Sequence, residues 1–279
     1  MHKLKKGFTL VELLVVISII AILLAILMPT LSQARTQAKM IIDSTRQRSV
    51  MTAVTCYSSE YGGKLPPSTQ GQCRPADKTK ATYWTLPIRL KYYYTTARAL
   101  NGGSVMDILG MYMKDPVNWN CPMANDSIDW QKRYFAELKD SLVEMLDCSY
   151  MLYWNFLGYY KEETGVTGIT PFGFNPVMGR DTLMMSDIFL HTDSFNAAGG
   201  DYMSAHPFKG SSLRQLNNYV NQRDTSGNVV AVKLFMGKTG GKVPLVKLNA
   251  AYLDNHVEKF NTQTGVLTKD GNILPAKWK

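Results

Sequence analysis

Apolar and polar positions divide the chain into three regimes. From Phe8 to Met28 nearly every position is apolar, and Thr9, Glu12 and Ser18 are the polar interruptions. At about 1.5 Å per residue such a helix matches the hydrocarbon core of a bilayer. From Pro29 to Tyr61 small and apolar residues recur at helical spacing: Leu31, Ala34, Ala38, Ile41, Ile42, Thr45, Ser49, Ala53, Val54 and Tyr57. Arg and Gln fill the intervening positions, so this half reads as amphipathic. Gly62-Gly63 ends the pattern and Pro66-Pro67 prevents its continuation. One helix from about Phe8 to Tyr61 is expected, with Pro29 kinking or locally melting it.

The third regime, 62–279, mixes short periodic stretches. Residues 104–114 and 129–147 read as helices, the second with Trp130, Tyr134, Leu138, Leu142 and Met145 on one face. Ser211 or Ser212 is placed to cap a short helix through Val220. Residues 182–190, 229–236 and 243–253 are rich in β-formers and bounded by turn residues. Asp254-Asn255 fits a two-residue type I′ hairpin turn, because Asn tolerates positive φ. The expectation is an α+β body with an antiparallel sheet.

Composition narrows the class. The chain has 279 residues, 45% hydrophobic and 19% charged, which suits a globular body rather than a disordered one. The net charge is +9, with Lys3, Lys5 and Lys6 ahead of the apolar run and the rest dispersed. A dispersed excess describes a solvated surface and does not point to nucleic acid. The lysines before the run place the N-terminus in the cytoplasm and the body outside it. Cys56, Cys73, Cys121 and Cys148 contain no C-x-x-C pair. Outside the cytoplasm they allow three pairings. Linking sequence neighbours, Cys56–Cys73 and Cys121–Cys148, would contribute about 3 kcal/mol each; the other reading is four reduced, buried thiols.

Glu12 is the residue that a simple membrane segment does not explain, since a carboxylate in mid-membrane costs roughly 2.5–3.5 kcal/mol on insertion scales. A secretory signal cleaved after Ser32-Gln33-Ala34 leaves it unexplained, and a plain anchor makes it an idle group snorkelling to the interface. The ordered series Lys6-Gly7-Phe8-Thr9-Leu10-Val11-Glu12 resembles the processing site of type IV prepilins and type II secretion pseudopilins. Pro29 resembles the helix-bending proline of many pilins. The resemblance implies a leader at 1–7, cleavage between Gly7 and Phe8 by a prepilin peptidase, and N-methylation of Phe8. It further implies a helix at 8–61 that spans the membrane at 8–28, and an extracytoplasmic head at 62–279. In that setting Glu12 pairs with the α-amine of a neighbouring subunit and sets the axial register of assembly.

A second, scattered resemblance lies near the C-terminus. Asn249-Ala250-Ala251-Tyr252-Leu253-Asp254-Asn255-His256-Val257-Glu258 is similar to the strand and Asp-Gly-His-Val turn of many bacterial prepilin-like proteins, with Asn255 where Gly is usual. Gly62 to Pro67 and Trp119-Asn120-Cys121-Pro122 fit the same group. That group tends to carry a His about ten residues before the turn. Here the nearest is His206, and the interval 208–246 reads as an insert. The implied fold is a type IV pilin-like lollipop: a long N-terminal helix packed on an α+β head. The implied location is the bacterial inner membrane, crossed once, then a periplasmic or surface filament. The implied partners are the prepilin peptidase/N-methyltransferase, like subunits or other pseudopilins, an inner-membrane assembly platform and lipid. Some pseudopilins bind calcium, which makes Asp126 with Asp129, or Asp181 with Asp187, candidate Ca2+ ligands, although no D-x-[DN]-x-[DN]-G loop is present.

The body shows little catalytic signal. Gly237-Lys238-Thr239 lacks the upstream Gly of a Walker loop, since Val232 stands there. His191, Asp193 and Ser194 are too close in sequence to form a hydrolytic triad. His191 and Asp193 share a strand face, but His206 and His256 alone add little toward a zinc set, so no metal ligands are expected. Tyr92-Tyr93-Tyr94, Trp154, Phe156, Tyr159 and Tyr160 read as core. The expectation is a non-enzymatic structural subunit of a type IV pilus-like filament or a type II secretion pseudopilus, without a cofactor. The other readings are a membrane-tethered binding or enzymatic domain and a DNA-binding pilin.

Overall fold

The computed structural model describes residues 9–66, 89–92, 105–124, 145–154, 182–191, 202–215, 233–267 and 273–274. Helix α1 spans Leu10–Glu60 without interruption. Pro29 lies inside it, and the expected local melting does not occur. Its hydroxyl residues fold back on their own helix: Ser18 Oγ donates to the Val15 carbonyl at 2.7 Å and Thr30 Oγ1 to that of Leu27 at 2.8 Å. This hides polar groups within the apolar stretch. Tight glycines end the helix, Gly62 at φ 64° and Gly63 at φ 82°, where Gly63 N–H reaches back to the Ser58 carbonyl.

The chain forms two compact units, residues 1–41 and 42–279. In the first, every described residue from Thr9 to Ala38 is exposed. The helix through this stretch is long and apolar enough to cross a membrane.

The second unit contains the remainder of α1 and a largely antiparallel β body. Its strands are β1 (Arg89–Tyr92), β2 (Met145–Asp147), β3 (Tyr150–Leu152), β4 (Leu183–Asp187), β5 (Phe189–His191) and β6 (Tyr202–Ser204), followed by β7 (Ser212–Gln215), β8 (Lys233–Gly237), β9 (Lys247–Tyr252), β10 (Val257–Asn261), β11 (Val266–Leu267) and β12 (Ile273–Leu274). A short helix α2 covers Val105–Leu109. Two four-stranded sheets carry the fold, ordered β10-β9-β4-β3 and β5-β6-β8-β7, with β1-β2 and β11-β12 as small ribbons. Every pairing among the described residues is antiparallel.

One segment serves both large sheets. Residues 182–190, expected as a single strand, split at the buried Ile188 into β4 and β5, one in each sheet. The Ile188 carbonyl accepts from Ala205 N–H at 2.9 Å, which draws the end of β6 to the crossing. The core cluster that contains Ile188 also holds Trp119, Trp154, Tyr150, Tyr153, Phe189 and Met51, all nearly inaccessible. Burial of aromatics on this scale supplies much of the driving force for the fold. The core expectation holds for Trp154; Tyr93, Tyr94, Phe156, Tyr159 and Tyr160 lie outside the described residues.

Several local expectations are corrected by long-range pairing. The end of the expected helix 129–147 is β2, because Met145–Asp147 pair with β1; residues 129–144 lie outside the described residues. The segment from Ser212, expected as a capped helix, is β7 against β8. The expected helix 104–114 shortens to α2. The β9–β10 hairpin forms, but not through a two-residue type I′ turn. Asn255 N–H donates to the Tyr252 carbonyl, and only Asn255 takes positive φ, at 69°. That makes a three-residue loop closed by one left-handed residue. Asn255 can take this conformation because Asn tolerates the left-handed region better than other non-glycine residues.

Gly237 closes β8 for a steric reason. A Cβ there would lie 2.8 Å from the Gly210 carbonyl oxygen and 3.0 Å from the Phe208 ring. Gly237→Ala should therefore lower the stability of the second unit by about 1–3 kcal/mol. Urea denaturation of the detergent-solubilised chain, followed by tryptophan fluorescence, measures it; an unchanged midpoint would show that the 208–211 turn yields freely.

Candidate functional site

Two places combine polar chemistry with an apolar setting. The first is the start of α1. Thr9 N–H and Thr9 Oγ1 both donate to Glu12 Oε2, at 2.9 and 2.8 Å, and Glu12 N–H donates back to Thr9 Oγ1 at 3.3 Å. This is a reciprocal capping box, in which the side chains at the first turn satisfy each other's backbone donors. Glu12 is the acid of that first turn and sits where the helix dipole favours negative charge. Gly7 and Phe8 lie outside the described residues.

The second place is inside the 42–279 unit. Asp43, Cys121, Asp187 and His206 are all buried, and one ligand-type atom from each falls within 4.8 Å of the others. Four distant segments bring them together. Asp43 comes from α1, on a stripe with Gln47, Val50 and Val54 that faces the core. Asp187 ends β4 at the sheet crossing. His206 follows β6, its N–H held by Ser204 Oγ at 3.0 Å. Cys121 follows a 3-10 turn, Pro116–Trp119, capped by the Asp115 side chain. The Asn120 carbonyl beside it accepts from Arg46 Nη1 at 2.7 Å, and Cys121 N–H meets Ser149 Oγ.

Neutral donors orient the two carboxylates. Tyr150 OH donates to Asp43 Oδ1 at 2.9 Å and Asn249 Nδ2 to Asp43 Oδ2 at 2.5 Å. Asn249 N–H donates to Asp187 Oδ2 at 2.6 Å. Gln47 Nε2 reaches both, Asp187 Oδ1 at 3.0 Å and Asp43 Oδ2 at 3.3 Å. Aiming the amide this way leaves Gln47 Oε1 buried without a hydrogen-bond partner among the described residues, a cost accepted only where the donor is in demand. Burial, then the neighbouring Asp43, push the Asp187 carboxyl well above its usual range. The same two causes raise the Cys121 thiol and the Tyr150 phenol.

His206 is held as a neutral ring. Burial lowers its pKa more than Asp43 raises it. Its Nδ1 meets the Lys247 carbonyl, so that nitrogen carries the proton and Nε2 presents a lone pair. Nε2 lies 3.1 Å from Cys121 Sγ and 3.3 Å from Asp187 Oδ2. The latter has the distance of an ion pair, but the desolvated ring makes it a contact between a neutral imidazole and a carboxyl group. The contact with Lys247 sets His206 against β9, the strand that leads into the Asp254-Asn255 turn, although the interval 208–246 separates them in sequence.

The sequence reading missed this set. It placed Ile41, Ile42 and Thr45 on the packing face, yet all three are exposed, while Asp43 and Gln47 are buried. The available signal was the i, i+4, i+7, i+11 series Asp43, Gln47, Val50 and Val54, which is helical spacing with two polar members. Nothing in the spacing of Asp187 and His206 connects them to residue 43.

Other sequence candidates fall elsewhere. The expected Cys121–Cys148 disulfide is not formed. Both are free buried thiols, Cys121 turned toward His206 and Cys148 donating to the Tyr150 carbonyl at 3.3 Å. Cys56 is a free, exposed thiol, and Cys73 lies outside the described residues. Asp187 belongs to the buried cluster, and Asp126, Asp129 and Asp181 lie outside the described residues, as do Asp193 and Ser194. Asp254 Oδ1 accepts from His256 N–H at 3.1 Å, and this bond is the main cause that lowers its pKa. The His256 ring stacks on Tyr252, and Asn255 Nδ2 donates to Thr52 Oγ1 of α1 at 3.0 Å. The turn motif fastens the hairpin to the helix.

Tyr150→Phe should cost about 1–3 kcal/mol, because it removes a donor from the buried Asp43. Tyr153→Phe, which removes the hydrogen bond with the neutral Ser186 hydroxyl, should cost less. Equal losses in urea denaturation of the two variants would show that the Asp43 carboxylate does not depend on the phenol.

Against this geometry, the model of the prokaryotic N-terminal methylation motif matches residues 2–28. No curated protein and no solved structure matches the chain. The chain therefore carries the N-terminal signal of a type IV pilin-like precursor, and that signal coincides with the exposed apolar part of α1 and its Thr9–Glu12 cap.

Proposed function

We propose that the chain is a structural subunit of a pilin-like filament, a type IV pilus or a type II secretion pseudopilus, built through the first half of α1. One observation carries this reading. The methylation motif falls on a helical segment whose apolar side chains are all exposed, with a single acid, Glu12, at its first turn. Such a surface is compatible with lipid before assembly and with like helices after it.

On this reading, a prepilin peptidase cuts after Gly7 and Phe8 is methylated. The lysines of the leader hold that end in the cytoplasm and residues 62–279 emerge on the other side. In the filament core, water is excluded, and the new α-amine of one subunit and Glu12 of the next satisfy one another. Either charge left alone there is costly, so the pair selects one axial offset between subunits. Thr9 already orients the Glu12 carboxylate through the capping box, so the acid is displayed in a defined position before a neighbour arrives. The second unit is the displayed part, and the protein works by assembly rather than catalysis. A tethered surface domain that uses the same signal only as an anchor would have no need of Glu12.

The test separates the two uses. Mass spectrometry of the protein from its own cell envelope should show a chain starting at methylated Phe8. Glu12→Leu should be inserted and processed normally but be lost from sheared filaments, by roughly the 10-fold or more that a missing buried pair implies. Incorporation of Glu12→Leu at the wild-type level would refute the pairing, and a chain that begins at Met1 would refute the processing.

A further inference from the structure

The buried cluster of the second unit has the donor types of a metal site. We propose that Asp43, Cys121, Asp187 and His206 form a structural four-coordinate Zn2+ site that binds the α1 segment to the crossing of the two sheets.

Four features converge on this. The donor set is one thiol, one imidazole and two carboxylates, and their ligand atoms already lie within 4.8 Å of one another. Tetrahedral zinc, with bonds of about 2.0–2.3 Å, needs separations of roughly 3.3–3.8 Å, so each atom moves by less than about 1 Å. His206 Nε2 is already at 3.1 Å from Cys121 Sγ and 3.3 Å from Asp187 Oδ2.

The outer contacts are those a metal set requires. The Lys247 carbonyl takes the Nδ1 proton of His206 and leaves Nε2 to coordinate. Tyr150, Gln47 and Asn249 fix the two carboxylates through neutral hydrogen bonds. None of these donors supplies a positive charge. Two carboxyl groups buried side by side must be compensated by a shared proton or by a cation. A thiolate and an imidazole beside them favour a borderline-soft ion such as Zn2+ over Mg2+ or Ca2+, which take oxygen sets.

Burial assigns the role. All four residues are inaccessible, and four protein ligands leave no position for water or substrate, as in structural zinc sites. The ion would join segments separated by most of the chain, in place of the Cys121–Cys148 disulfide that is not formed.

The experiment uses the full chain, purified in detergent without chelators. Elemental analysis should find equimolar zinc. Dipicolinate should remove it and lower the melting temperature by several degrees, and added Zn2+ should restore both. Co2+ exchange should give the intense visible bands of a tetrahedral site with a thiolate-to-cobalt charge-transfer band, and that band should vanish in Cys121→Ser. Gln47→Leu, which removes a donor but no ligand, should weaken Zn2+ binding by about 10–100-fold. If Cys121→Ser does not fold, the wild-type Co2+ spectrum decides alone. A chain that takes up no stoichiometric Zn2+ or Co2+ would overturn the proposal. So would a Co2+ complex without the thiolate band, or a melting temperature indifferent to chelator.

Discussion

Burial of the Asp43 carboxylate is the constraint around which the second unit is arranged. A helix that packs through its own acid can do so only if the body supplies donors at the right height, and here they come from three places. Tyr150 lies on β3, Asn249 on β9, and Gln47 one turn along the same helix. Both sheet residues belong to one sheet, β10-β9-β4-β3, whose β4 ends in the second acid. An apolar residue at position 43 would leave Tyr150, Asn249 and Gln47 with buried donors to satisfy. The polar centre therefore fixes the rotation and height of residues 42–60 on the body more sharply than Val50, Met51 and Val54 can, since apolar contacts tolerate sliding.

The sheet crossing gives that centre its geometry. Because β4 and β5 are one segment interrupted at Ile188, Asp187 stands where the two sheets meet, and the end of β6 is hydrogen-bonded to the same point. His206 therefore arrives from the second sheet and Asn249 from the first. The capped turn at Pro116–Trp119 brings in Cys121 from a third direction.

Much of the helix and hairpin was legible in the sequence, for local reasons. Continuous apolarity, a Gly-Gly stop and β-branched runs act within a few residues, and they located α1, β4 with β5, β8 and β9. The errors occur where distant segments decide. Met145–Asp147 continue a helical pattern but pair with β1, and Ser212–Gln215 pair with β8. Strand pairing with a partner far along the chain outweighs weak local preference. The buried cluster was illegible for a related reason. An apolar pattern points Ile41 and Ile42 inward, whereas the inward stripe carries Asp43 and Gln47. At the start of α1, Thr9 and Glu12 have the spacing of a capping box, and their reciprocal hydrogen bonding is seen only in the structure.

The separation of 206 positions between Asp43 and Asn249 sets an order of events during synthesis. Asp43 leaves the ribosome early, attached to the apolar half of α1, while its last donor is among the final strands to be made. Until β9 exists, the acid has no complete polar shell and is better left in water than buried. The helix segment consequently cannot be sealed into the body one piece at a time; closure waits for nearly the whole chain. A chain that stops before β9 lacks the Asn249 donors to Asp43 and Asp187, so the polar shell of the two buried acids is complete only once that strand has been made.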